Sequence, residues 1–257
     1  MAKKKLGIIQ SRGLGDIVIA LPIARYYYNE GYDILWPIAQ EFVPSVEKTV
    51  PWIKWIPLVV DGSNYFYETP MDRLKNFKCD EVICLYQSLS SHPEFAKRPE
   101  FQITGFDQIK YHIAQVPFKQ KWTLAECITR DPQREADLKA RVGIVGDEPY
   151  VVVHTEGSDY KTTIDPNWIP EGWKTVEITP ITESIFDWLA VLEGAQSIIA
   201  VDSVIANVVD QLGIADKVDS YFLPRSHLHL TPVLGCAWTV LEPDPETLKR
   251  ITIFRAG

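Results

Sequence analysis

The stretch Lys5-Leu6-Gly7-Ile8-Ile9-Gln10-Ser11-Arg12-Gly13-Leu14-Gly15-Asp16-Ile17-Val18-Ile19-Ala20-Leu21-Pro22 decides how the rest of the chain is read. Lys5–Gln10 is a short apolar run of strand length. From Asp16 to Asn29 the residues Ile17, Ala20, Leu21, Ile23 and Ala24 recur at helical spacing. A strand that enters a helix through a glycine-bearing loop is the opening unit of a parallel α/β sheet.

The pattern continues outward. Asp33–Pro37 and Ile56–Val60 read as further strands, Glu41–Glu47 and Met71–Phe77 as short helices, and Glu81–Tyr86 as a β-rich run. Residues 87–130 mix aromatics, prolines and charges without periodicity and give no assignment. Pro132–Val142 reads as a helix with Asp131 as N-cap and proline in the first turn. The glycines, acids and proline of Gly143–Pro149 mark a linker. The alternation then restarts: Tyr150–His154, Thr175–Ile178, Ser197–Val201, Ser220–Leu223 and Trp238–Leu241 as strands, with helices Ser184–Glu193 and Val204–Leu212 ended by Gly194 and Gly213. No repeat of fixed period is present. The expectation is two α/β halves, 1–147 and 148–257.

Bulk properties fit this. A chain of 257 residues is long for one α/β domain and comfortable for two. Apolar residues at 46% and charged residues at 23% suffice for a core. No run of 18 apolar residues occurs, and the apolar start of the chain breaks at Gln10-Ser11-Arg12, so we expect neither a membrane span nor an export signal. Cys79, Cys84, Cys127 and Cys236 form no C-x-x-C pair and have no histidines at metal spacing. They read as buried thiols of a reducing, cytoplasmic setting, with no metal site. Residues 1–147 hold 19 basic and 18 acidic residues, net +1, and residues 148–257 hold 7 and 16, net −9. This balance disfavours a duplex-DNA binder.

Three segments can carry chemistry. In Ser11–Asp16, Gly13 and Gly15 let backbone approach a ligand, and Asp16 stands at a helix start. There it either caps the helix or presents a carboxylate at the carboxyl end of a strand, where open α/β sheets place ligands. The loop lacks the third glycine of a dinucleotide fingerprint and the Gly-Lys-Ser/Thr of a phosphate loop. The second segment is Val201-Asp202-Ser203-Val204-Ile205-Ala206-Asn207, where a helix start follows a strand and its free N–H groups can receive phosphate. The third is His154-Thr155-Glu156-Gly157-Ser158-Asp159-Tyr160-Lys161, with a cation in a half that has few. Arg225, near His227 and His229, is another cation available to a diphosphate. Trp52, Trp55, Phe66 and Tyr67 read as loop aromatics that either stack on a sugar or base or pack inside.

The order of these segments resembles the bacterial ADP-heptose lipopolysaccharide heptosyltransferases. A strand, Ser-x-x-x-Gly-Asp and a helix with Leu21-Pro22 is similar to that family's N-terminal signature. Asp202-Ser203 before a short helix resembles its donor-side segment, with Val204 where the family has glycine and Asn207 where it has histidine. The 154–161 loop resembles the segment carrying its phosphate-contacting lysine. The resemblance implies two Rossmann-like domains facing across a cleft (the GT-B type), the second reduced in size. It implies an inverting, metal-independent glycosyltransferase with no cofactor beyond a nucleotide-diphosphate sugar as co-substrate. Asp16 becomes the general base, with Arg12, Gly13, Gly15, Thr155, Ser158, Lys161, Asp202, Ser203, Asn207 and Arg225 as substrate and donor contacts. Candidate acceptors are a glycan, a lipid-linked sugar or a hydroxymethylated nucleic-acid base, and a non-catalytic nucleotide-binding module is the competing reading.

Overall fold

A computed structural model describes residues 3–59, 66–86, 105–157, 161–224 and 232–241. The chain packs as two compact units, Met1–Thr129 and Arg130–Gly257. Each is built on one parallel sheet.

The first sheet contains β1 (Lys5–Ile9), β2 (Asp33–Ala39), β3 (Lys54–Leu58) and β4 (Glu81–Cys84), in the spatial order β3-β2-β1-β4. Every pairing is parallel, and Trp36 on β2 lies opposite Trp55 on β3. Trp55 is therefore a strand residue packed on Trp36 rather than a loop aromatic, with ring centres 5.4 Å apart. The expected third strand begins earlier in the chain, at Lys54, because its register follows this pair. Helices α1 (Leu14–Asn29), α2 (Val43–Val46) and α3 (Glu68–Lys75) occupy the connections. Residues Ile17 to Ala24 of α1 are all buried, so this helix is covered all round.

The cover comes from the stretch where the sequence shows no period. Residues 105–130 hold α4 (Phe106–Ile113) and a 3-10 segment, Phe118–Glu126. The Tyr111 hydroxyl of α4 donates to the Ile19 carbonyl at 2.8 Å, and Tyr27 of α1 donates to the Ala114 carbonyl at 2.7 Å. Asp107 on α4 meets Lys121 of the 3-10 segment at 2.8 Å, and neither side chain has any solvent exposure. Buried charge explains why periodicity fails here: Asp107, Lys110 and Lys121 are polar by type yet occupy core positions. Residues 87–104 of the same stretch lie outside the described residues.

The second sheet contains β5 (Tyr150–His154), β6 (Lys174–Glu177), β7 (Ser197–Val201), β8 (Asp219–Leu223) and β9 (Thr239–Val240), all parallel, in the order β6-β5-β7-β8-β9. Its helices are α5 (Pro132–Arg141), α6 (Leu189–Glu193) and α7 (Val204–Gln211). Asp131 caps α5, its carboxylate accepting from the amides of Gln133 and Arg134. The expected helix 184–193 is a 3-10 turn, Ile185–Trp188, running into α6, with the Ser184 hydroxyl accepting from the Phe186 amide. Gly213 has φ of 67° and ends α7, with Gly213 N–H bonded to the Asp210 carbonyl and Ile214 N–H to that of Val209.

The packing boundary falls after Thr129, ahead of α5, whereas the composition shift at 143–149 places it after. The reason is a set of ion pairs that the sequence spreads apart. Arg130 reaches Glu193 at 2.7 Å and Arg134 reaches Asp187 at 2.8 Å, fastening α5 to α6 and the turn before it. Residues 143–149 are then a turn within the second unit. All four cysteines are free thiols, with burial pushing Cys84 up to about 11 and Cys127 up to about 12. Among the described residues no helix is long and apolar enough to cross a membrane.

Replacing Asp131 with alanine removes the α5 cap and should cost about 1 kcal/mol of stability in urea unfolding. Lys121→Met should cost about 3–5 kcal/mol, because it leaves the buried Asp107 carboxylate without its cation, and Asp107→Asn in the same chain should recover part of that loss.

Candidate functional site

In an open parallel sheet the helices on either side of a reversal in strand order leave the two carboxyl strand ends apart, which opens a crevice for ligands. Each sheet has one such reversal. In the first, the chain moves from β1 outward through β2 to β3 and then returns to the other side of β1 as β4. In the second, β6 lies on one side of β5 and β7 on the other. The candidate residues gather at these two points.

At the first reversal, the segment leaving β1 is fixed by its neighbours. The Tyr86 hydroxyl, two residues past β4, accepts from the amides of Ser11 and Arg12, both at 2.8 Å. The Trp36 indole donates to the Gln10 carbonyl at 3.1 Å, and the Ala39 amide donates to the Ser11 carbonyl at 2.8 Å. The Ser11 hydroxyl is buried and makes no hydrogen bond among the described residues. The chain then turns at Gly13, whose φ is 79°.

Helix α1 starts at Leu14, two residues before the expected Asp16, and Gly13 is its N-cap with no side-chain hydrogen bond. The capping reading of Asp16 is thereby overturned. Asp16 sits in the first turn, where its charge still favours the helix dipole, but its carboxylate is engaged elsewhere. Lys110 of α4 brings its ammonium to 3.0 Å from Asp16 Oδ1; the lysine side chain is 4% exposed and that of Asp16 35%. A β-carbon at position 13 would stand 2.5 Å from Asp16 Oδ2. Gly13 is thus required twice, by its backbone angle and by the carboxylate packed against it. Gly15 lies inside the helix in ordinary backbone, so its glycine is not called for by conformation. Arg12 is exposed and 3.9 Å from Glu41, a solvent-screened pair of little energetic weight.

At the second reversal, His154 ends β5 and Asp202-Ser203 follow β7. The Ser203 hydroxyl and His154 Nδ1 are 3.0 Å apart and bridge the two strand ends. Burial lowers the His154 pKa to about 4, against a smaller opposing effect of Glu156, so the ring is neutral at physiological pH. Ser203 is the N-cap residue of α7 by position, yet its hydroxyl makes no capping bond. Asp202 is 3% exposed, and its amide continues the ladder to the Leu223 carbonyl. Asn207 is buried one turn into the helix and donates to the Ser203 carbonyl at 2.9 Å; its Oδ1 accepts nothing among the described residues. Thr155 is buried and contacts Glu177 at 3.4 Å. Lys161 pairs with Glu156 in a short antiparallel bridge, its ammonium exposed and 3.5 Å from the carboxylate. Ser158 and Arg225 lie outside the described residues.

The structure thus gathers Arg12, Gly13, Gly15 and Asp16 at one reversal and Thr155, Asp202 and Ser203 at the other, with Asn207 within α7 and Lys161 on an exposed loop. Sequence reasoning missed Gln10, Tyr86, Lys110 and the pairing of His154 with Ser203. Tyr86 and Lys110 belong to stretches with no local motif, and only the tertiary fold brings Tyr86 to the Ser11 and Arg12 amides and Lys110 to Asp16. Among the described residues no group of three or more His, Cys, Asp or Glu is placed to hold a metal ion.

No protein-family model matches the chain, and no curated protein matches it. Its fold is similar to that of a glycosyl transferase family 9 protein from Veillonella parvula, with TM-score 0.57 and 13% identity over 93% of this chain and 86% of that one. It is similar also to E. coli ADP-heptose lps heptosyltransferase II, with TM-score 0.57 and 12% identity over 95% and 93% of the two chains. A third similar structure, the iron-containing dodecameric glycosyltransferase TibC from enterotoxigenic E. coli, gives TM-score 0.51 and 12% identity over 86% of this chain and 58% of that one. The chain has the two-sheet parallel α/β fold of these glycosyltransferases, and the resemblance read from its sequence holds at the level of fold.

Proposed function

We propose that this protein is a glycosyltransferase of the GT-B type, moving a sugar from a nucleotide-diphosphate donor to an acceptor hydroxyl with inversion. The observation that carries the reading is the Asp16 carboxylate, partly exposed at the strand-order reversal of the first sheet and held by a buried lysine. An alcohol is a weak nucleophile until a base takes its proton. In the proposed step Asp16 accepts that proton while the acceptor oxygen bonds to the anomeric carbon. The bond from that carbon to the phosphate oxygen breaks, and the nucleoside diphosphate leaves with the electron pair. A single displacement inverts the anomeric centre.

The acceptor belongs to the first unit in this reading and the donor to the second. Support for the donor side is the start of α7, whose N-cap hydroxyl is drawn to His154 and so leaves the first-turn amides to other acceptors. Lys161 is a nearby cation by sequence and Asp202 and Ser203 complete the strand-to-helix turn. Charge on the leaving diphosphate is met by the first-turn amides of α7 and by Lys161, and the proposed chemistry uses neither a metal nor a cofactor. The partners it implies are the nucleotide sugar donor and an acceptor glycan, lipid-linked sugar or modified nucleic-acid base.

A thermal-shift screen of nucleotide sugars should find a selective stabiliser, gaining about 2.7 kcal/mol at a hundredfold excess over its Kd. With that donor, transfer to the acceptor panel is followed by mass spectrometry, hydroxymethylated DNA being digested to nucleosides first. Asp16→Asn should lower transfer at least about 100-fold while leaving the donor-induced thermal shift in place. Transfer near the wild-type rate in this variant would show that Asp16 is not the base, and tight donor binding with no turnover by the wild-type chain would favour the non-catalytic module.

A further inference from the structure

We infer that Lys110 is a positioning residue for the Asp16 base, selecting which carboxylate oxygen meets the acceptor hydroxyl. The inference rests on the glycosyl-transfer reading above. A lysine ammonium has three donors and no acceptor; here it makes two hydrogen bonds and one ion pair. Lys110 Nζ lies 2.6 Å from Gln10 Oε1, 3.3 Å from the Leu85 carbonyl and 3.0 Å from Asp16 Oδ1. These acceptors come from three different places: the end of β1, the end of β4 and the first turn of α1. Gln10 is itself oriented, because its amide nitrogen donates to the Arg12 carbonyl at 2.8 Å. Swinging the ammonium away would break two hydrogen bonds and the ion pair at once inside a nearly closed environment.

The consequence is asymmetric for the carboxylate. Oδ1 is held against a buried cation, whereas Oδ2 lies along the Gly13 backbone, in the space that a β-carbon would fill. The oxygen left to receive a proton is therefore Oδ2. Lys110 does not touch the reacting atoms in this arrangement. It acts through Asp16 by fixing the carboxylate plane, and misplacement of a catalytic group by about 1 Å can cost roughly 100-fold in rate. One helical turn earlier on α4, Asp107 is itself paired with Lys121 in the closed interior.

A double-mutant cycle separates this role from a merely structural one. Wild type, Asp16→Asn, Lys110→Met and the double variant are compared for nucleoside diphosphate release from the nucleotide sugar that gives the largest thermal shift. Lys110→Met should lower kcat about 100-fold with the donor KM unchanged, and Lys110→Arg should restore part of the loss. In the Asp16→Asn background Lys110→Met should cost nothing further. An equal factor in both backgrounds overturns the inference, as does a Lys110→Met rate equal to wild type while Asp16→Asn is slow. The Tm values of the same four proteins provide a reading independent of turnover: coupled changes support the pairing and additive ones defeat it. Undiminished release by Asp16→Asn counts instead against Asp16 as the base.

Discussion

One buried ammonium organises the first unit. Taking a lysine side chain out of water costs several kcal/mol unless its charge and all its donors are met. Lys110 is met where the ends of β1 and β4 and the start of α1 converge: Gln10 and the Leu85 carbonyl accept from it and Asp16 pairs its charge. Helix α4, the Gln10–Gly13 loop and the Asp16 carboxylate meet at this one group. Tyr86 adds to it by holding two loop amides with one hydroxyl. The loop is thereby held by hydrogen bonds from the β2 side and from the residue beyond β4.

The second unit uses the same topology with different chemistry. Its reversal is bridged by a neutral contact, His154 with Ser203, because the histidine is too buried to carry charge near neutral pH. A neutral bridge leaves the start of α7 without a side-chain cap, next to the buried Asp202. The first reversal instead has a carboxylate and a buried cation. Two parallel sheets with the same kind of opening are thus bridged differently, one by an ion pair and the other by a neutral contact. The net charges of the two halves, +1 and −9 over residues 1–147 and 148–257, do not reveal this.

Local elements were legible where local physics decides them. The strands Tyr150–His154 and Ser197–Val201 stand where their apolar runs place them, and Asp131 caps α5 as its position before Pro132 requires. Where reading failed, charge was buried. Asp107, Lys110 and Lys121 erase the apolar period of α4 and the 3-10 segment, although both are core elements. Asp16 shows the other kind of error. Its type and place suit an N-cap, but the left-handed backbone at Gly13 starts the helix earlier and a partner from α4 takes the carboxylate.

By itself the sequence determined that the chain is a succession of parallel-type strands and helices, and that Gly13, Asp16, Asp202 and Ser203 stand where strands turn into helices. These follow from apolar spacing and backbone conformational preference, which act over a few residues. Only the tertiary structure decided which of those turns lie at a strand-order reversal and which side chains answer them. Lys110 and Gln10 are 100 residues apart in sequence, Tyr86 and Ser11 are 75 apart, and Ser203 and His154 are 49 apart. Each pair exists because strand order brings distant chain ends together and burial then compels their polar groups to find one another.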